Sequence, residues 1–146
     1  MVMPYREVGK MNWRECIKQR IVKSVKRDKN LIASTREIAE IKIQSANVLP
    51  DIYYIAKISL LYDALREYLE SIALDKGYKV YNHECYSAFL NEILDLPNDA
   101  DSFDKLRKIR NGINYYGRKI GEDEANQIIL DLQSLIGRLK NLMINL

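Results

Sequence analysis

The sequence predicts an all-α fold: an up-and-down bundle of four principal antiparallel helices with one or two short additional helices. Three observations predict it. Apolar residues recur every three or four positions over long stretches. Only six Gly and three Pro interrupt 146 residues, so long helices meet few breakers. The connections between the periodic stretches are short, which makes neighbouring helices antiparallel. The length suits a single domain over residues 1–146, because a second core would leave too little apolar material for each.

In chain order, Asn12 can cap a short helix from Trp13 to Arg20, with Trp13, Ile17 and Ile21 as its apolar stripe. A second helix runs from Asp28 or Asn30 to Leu49, with Leu31, Ile38, Ala39, Ala46 and Leu49 inward, and Pro50 stops it. Asp51 to Lys76 carries the widest stripe, from Tyr54 and Ile58 through Leu61, Tyr62, Leu65 and Leu69 to Ile72 and Ala73. Gly77 stands where a left-handed residue closes a helix. Tyr78 to Tyr81 can be extended. Asn82 caps a shorter helix that continues to Pro97, Asn98 to Asp101 is a polar turn, and Asp101 or Ser102 caps a helix ending at Tyr116 and Gly117. Glu122 to about Ile144 is the last helix, acidic at its start and basic toward its end.

Apolar residues at 47% and charged residues at 29% exclude a disordered chain. Cys16 and Cys85 are far apart and lack a CxxC partner, so neither a disulfide framework nor a zinc site is expected. Met1 to Lys10 lacks the apolar run of a signal peptide, and no stretch approaches a membrane span, so a cytoplasmic protein is expected. Charge is segregated: residues 1–36 carry a net +7, residues 37–104 carry −8 and residues 105–146 carry +4. A basic surface concentrates phosphates, whereas an acidic one repels nucleic acid.

The common catalytic constellations are missing: no Gly-rich phosphate loop, no HExxH, no GxSxG. Glu37 with Glu40, and Glu67 with Glu70, could share helix faces, but each pair lacks the His of a di-metal bundle site, so neither a metal nor a cofactor is expected. The informative stretch is Lys105 to Lys119, with six basic residues and no acid. Arg107, Arg110 and Asn114 share one helix face, and Leu106, Ile109 and Ile113 another. Arg110 and Asn111 can bind a phosphate and a base or ribose, and Tyr115 and Tyr116 offer stacking faces and phenol donors. The competing interpretation is a solvated helix end with one of these tyrosines in the core.

Three pieces of the chain resemble the HEPN domains: the helix Tyr62-Asp-Ala-Leu-Arg-Glu-Tyr-Leu-Glu-Ser-Ile-Ala-Leu-Asp-Lys-Gly-Tyr78, the turn Tyr81-Asn-His-Glu84, and the pair Arg110-Asn111 late in a long helix. The resemblance covers Trp13 to Leu142. In HEPN ribonucleases an Arg, a polar residue and, after four to six intervening positions, a His act on RNA without metal across a dimer interface. Arg110 and Asn111 resemble the first two, but the His positions hold Tyr115, Tyr116 and Gly117. A phenol near 10 is a poor general base at neutral pH, unlike an imidazole near 6.5. His83, the only histidine, does not restore the motif by spacing, and the resemblance makes it a structural or interhelical hydrogen-bonding residue.

The resemblance therefore implies a module that binds rather than cleaves. Its ligand is nucleotide or RNA at Arg107, Arg110, Asn111, Asn114, Tyr115 and Tyr116. It forms a homodimer and serves as the accessory or substrate-binding partner of a nucleotidyltransferase, or as one member of a toxin–antitoxin-like pair. The alternative is a divergent metal-independent ribonuclease using Arg110, Asn111 and Tyr115. A surplus of apolar helix faces over what four helices need also points to a homodimer.

Overall fold

A computed structural model describes residues 11–143; the expectations for Met1 to Lys10 and for Ile144 lie outside it. Helix α1 (Trp13–Lys18) begins at Asn12, whose side-chain oxygen accepts the Glu15 N–H at 2.8 Å. Its buried residues are Trp13 and Cys16, while Ile17 is 47% exposed; α1 ends before Ile21, which packs against the core from outside the helix. Strand β1 (Val22–Ser24) pairs antiparallel with β2 (Tyr78–Val80), Val22 opposite Val80, which gives the extended Tyr78 segment a partner.

Helix α2 (Lys29–Val48) is capped by Asp28, which accepts the N–H groups of Asn30 and Leu31. It turns inward Ile32, Thr35, Ala39 and Ala46, not Leu31 and Ile38. Leu49, extended ahead of Pro50, ends it. A short 3-10 turn, Asp51–Tyr53, leads into α3 (Tyr54–Asp75), whose expected stripe is buried from Ile58 to Ala73. Gly77 has φ +88°, the left-handed closure that only glycine adopts cheaply.

The segment after Asn82 departs from the expected helix. Helix α4 is only Cys85–Ala88, followed by a π turn over Phe89–Ile93, where Leu94 N–H bonds Phe89 O at 3.0 Å. Asp95, at φ 55°, reverses the chain. Helix α5 then starts at Pro97, not at Asp101, and runs to Tyr116. Proline suits a first helical position because its missing N–H would have no intrahelical partner there. Gly117 closes α5 at φ 62°, and α6 spans Glu122–Met143.

The fold is an all-α bundle of α2, α3, α5 and α6 with two short helices. Lys42 pairs with Glu67 and Tyr68 bonds Glu40, so α2 and α3 run antiparallel. Tyr54 reaches Ile120, and Lys140 lies over Tyr68, so α3 and α6 pack in parallel. Tyr62, Tyr68, Tyr86, Phe89 and Phe103 are the largest fully buried side chains of one continuous core.

Cys16 and Cys85 are joined by a disulfide, with Cα atoms 6.2 Å apart, which corrects the expectation of two unpaired thiols. Their sequence separation of 69 gave no local signal; α1 and α4 become neighbours only in the folded bundle.

Candidate functional site: Arg110 between two tyrosines

Arg110 sits late on α5, opposite the middle of α3. Its guanidinium carbon lies 5.1 Å from the ring centroid of buried Tyr62 and 5.5 Å from that of Tyr115. Such distances over ring faces are attractive for a cation. One terminal nitrogen donates to the Tyr115 hydroxyl at 3.3 Å and the other lies 4.0 Å from Asp63. Among the described residues its buried Nε has no hydrogen-bond partner. The Arg110 side chain is 17% exposed and Tyr115 is 68% exposed, so the cluster opens to solvent along the tyrosine.

Beneath Arg110, the Tyr62 hydroxyl and His83 Nδ1 share a hydrogen bond of 3.1 Å, an interhelical bond from the turn before α4 to α3. Burial pushes the Tyr62 phenol up to about 12, against the opposing charges of Arg110, Arg107 and Arg66. Burial also pushes His83 down to about 4, reinforced by Arg66 and Arg110 and opposed by Asp63. His83 is thus neutral at neutral pH. Tyr86, packed beside it, is raised by burial as well.

Arg107 does not reach this surface. It is 6% exposed and donates to Asp104 at 2.8 and 3.3 Å, with Glu84 at 3.9 Å. Burial pushes the Asp104 carboxyl up, but hydrogen bonds from Arg107 and Lys108 outweigh it and leave the group below its ordinary value. Asn111 is half-buried, Asn114 is exposed and Tyr116 is 83% exposed. Among the described residues no hydrogen bond joins these three to Arg110. Neither Tyr115 nor Tyr116 enters the core.

The expected binding face is therefore divided: Arg110 and Tyr115 form a unit, Arg107 holds the interior, and Asn111, Asn114 and Tyr116 border the unit. Local spacing missed Tyr62, Asp63, Arg66 and His83, which come from segments far away in sequence. Their only signal was their place in two of the three pieces that carry the resemblance. The glutamates are taken up by ion pairs and hydrogen bonds: Glu40 with Tyr68 and Lys140, Glu67 with Lys42 and Arg66, and Glu70 with Arg66 and Lys79. Among the described residues no group of three His, Cys, Asp or Glu converges as a metal site requires, and no helix is long and apolar enough to cross a membrane.

A cleft of about 290 Å³, bordered by Asn12, Ser87, Glu92, Asp101 and Asp104, contains none of the Arg110 cluster, which is a surface feature. No family model, curated protein or solved structure matches the chain.

Proposed function

We propose that the chain is a nucleotide- or RNA-binding helical module of HEPN-like character that holds its ligand without cutting it. In this reading it acts in the cytoplasm as a homodimer, beside a nucleotidyltransferase or within a toxin–antitoxin-like pair. The observation that carries the reading is the Arg110 guanidinium held between the faces of Tyr62 and Tyr115. A cation fixed in this way presents its remaining donors to a phosphate, and the exposed Tyr115 ring offers a stacking face to the neighbouring base. Exposed Lys105, Lys108, Arg118 and Lys119 extend the basic surface along and beyond α5.

The absence of cleavage follows from the acid–base groups. A base with a pKa of about 4 has little affinity for the proton of a ribose 2′-hydroxyl, and a phenol near 12 stays protonated. The Cys16–Cys85 bond does not support the cytoplasmic part of this reading, since disulfides are rare in reducing compartments; the 0% exposure of both residues only slows its exchange. One observation favours the ribonuclease reading: His83 lies beneath Arg110, sharing its hydrogen bond with Tyr62.

The test uses a labelled single-stranded RNA. Affinity should fall steeply with salt, and Arg110→Ala should weaken it and flatten the log–log slope by about 0.7, the contribution of one phosphate contact. In chelator the wild type should leave the RNA intact. Salt-independent binding, or equal binding by the variant, removes Arg110 from the site. Cleavage in chelator that is lost in Tyr115→Phe or His83→Asn establishes the ribonuclease instead.

A further inference from the structure

Helix α2 carries two apolar stripes, and the bundle uses only one. Ile32, Thr35, Ala39 and Ala46 are buried against the bundle, whereas Leu31, Ile38, Ile41 and Val48 are 45, 47, 54 and 80% exposed. The exposed four are spaced by seven, three and seven residues, the a/d spacing of a coiled-coil seam. The two remaining seam positions are Ser34 and Ser45. Their hydroxyls donate back to Leu31 O at 3.1 Å and Ile41 O at 2.9 Å, so the seam can be dried without leaving either hydroxyl unpaired.

We propose that this face of α2 docks on α2 of a second copy, antiparallel, about a two-fold axis between Ile38 and Ile41. The seam order Leu-Ser-Ile-Ile-Ser-Val has the same pattern from either end, as an isologous antiparallel contact requires. Leu31 then opposes Val48 of the second copy, Ser34 opposes Ser45, and Ile38 opposes Ile41. At the flank, Glu37 falls near Gln44 of the second copy, an amide donor for its carboxylate.

Charge decides the orientation. A parallel pair would seek a Glu37–Lys42 bridge between copies, but Lys42 is held by Glu67 at 2.6 Å. Glu67 is 6% exposed and, among the described residues, one of its oxygens has no partner, so withdrawing Lys42 would remove its closest ion pair and leave the buried charge to Arg66 alone, 3.7 Å away. Antiparallel packing leaves that pair intact and opposes the helix dipoles. The seam from Leu31 to Val48 is about 26 Å long with four apolar residues per copy, a small contact of the weak, transient class, so association in the micromolar range is expected.

This surface rests on the homodimer reading, and the experiment separates the two. Sedimentation of the full chain from roughly 5 to 500 μM, a range centred on that affinity class, should show the 17.1 kDa chain doubling its mass. Ile38→Glu and Ile41→Lys, both at exposed positions that leave the helical circular dichroism unchanged, should each abolish dimerisation. Mixing the two variants should restore it, because one Glu then faces one Lys and the other Ile pair is intact. A monomeric wild type overturns the homodimer itself. A dimer indifferent to both variants overturns this surface alone, and dimers lost in both variants without recovery on mixing overturn the antiparallel pairing.

Discussion

Removing the Cys16–Cys85 disulfide is the most direct perturbation of the turn that carries His83. Cys85 lies two residues after His83, and the bond ties this turn to α1, whose Trp13 packs edge-on against Tyr78 and obliquely against Phe89. The sequence separation of 69 residues closes a long loop, and the chain-entropy relation for such a loop gives about 4 kcal/mol at 25 °C. For a chain of 146 residues, with an unfolding entropy near 2.1 cal/mol/K per residue, that is a fall of about 13 °C in Tm.

The measurement compares urea and thermal unfolding of the oxidised wild type, the reduced wild type and Cys16→Ala/Cys85→Ala. Reduction alone isolates the cross-link. The double variant adds the loss of two sulfur atoms from fully buried positions and should fall somewhat lower. If both lose less than about 1 kcal/mol, or if native oxidised protein titrates as two free thiols, the assignment of a stabilising cross-link is refuted.

Two further predictions concern the interior beneath Arg110. Arg107→Ala leaves Asp104, 7% exposed, with Lys108 at 3.2 Å and a long hydrogen bond from the Ser87 hydroxyl at 3.4 Å, and should cost about 3 kcal/mol by urea unfolding; a loss below 1 kcal/mol would show that the pair is replaceable. His83 predicts a pH dependence with a definite sign. Between about 6.5 and 4 the unfolded chain binds a proton that the folded chain refuses, so stability falls as pH drops through that window. One proton sets a ceiling of about 1.4 kcal/mol per pH unit, and solvent reaching the half-buried ring lowers the observed slope. His83→Asn should flatten the slope between pH 6.5 and 5, and an unchanged slope would show that the ring titrates normally.

The parts of the fold legible in the sequence are those where one period decides the outcome. In α3 nearly every apolar residue of the stripe is buried, because the helix is covered by α2, α5 and α6 and its pattern is wide. In α2, periodicity rightly assigns Ala39 and Ala46 to the core but also Leu31 and Ile38, which are exposed, while Ile32 and Thr35 take their place. Two stripes about 100° apart satisfy the same spacing rule, and only the position of α3 chooses between them. The π turn after Ala88 and the start of α5 at Pro97 were illegible for a different reason. Proline both ends and begins helices, and the backbone bond from Leu94 to Phe89 leaves no mark in side-chain pattern.

The candidate site shows the same division between local and distant information. Arg110 and Tyr115 lie five residues apart near the end of α5 and are legible together. Tyr62 and His83 were not, since they meet Arg110 only through the packing of α3 and the turn after β2. Their arrangement also sets two activities against each other. Arg66 and Arg110, the charges that would draw a phosphate to this surface, are among the groups that depress the proton affinity of His83. Each guanidinium added to strengthen binding therefore weakens the one imidazole as a base, and Asp63 offsets this only in part. If the proposed function holds, a surface tuned in this direction favours retention of a phosphate ligand over abstraction of a ribose proton beside it.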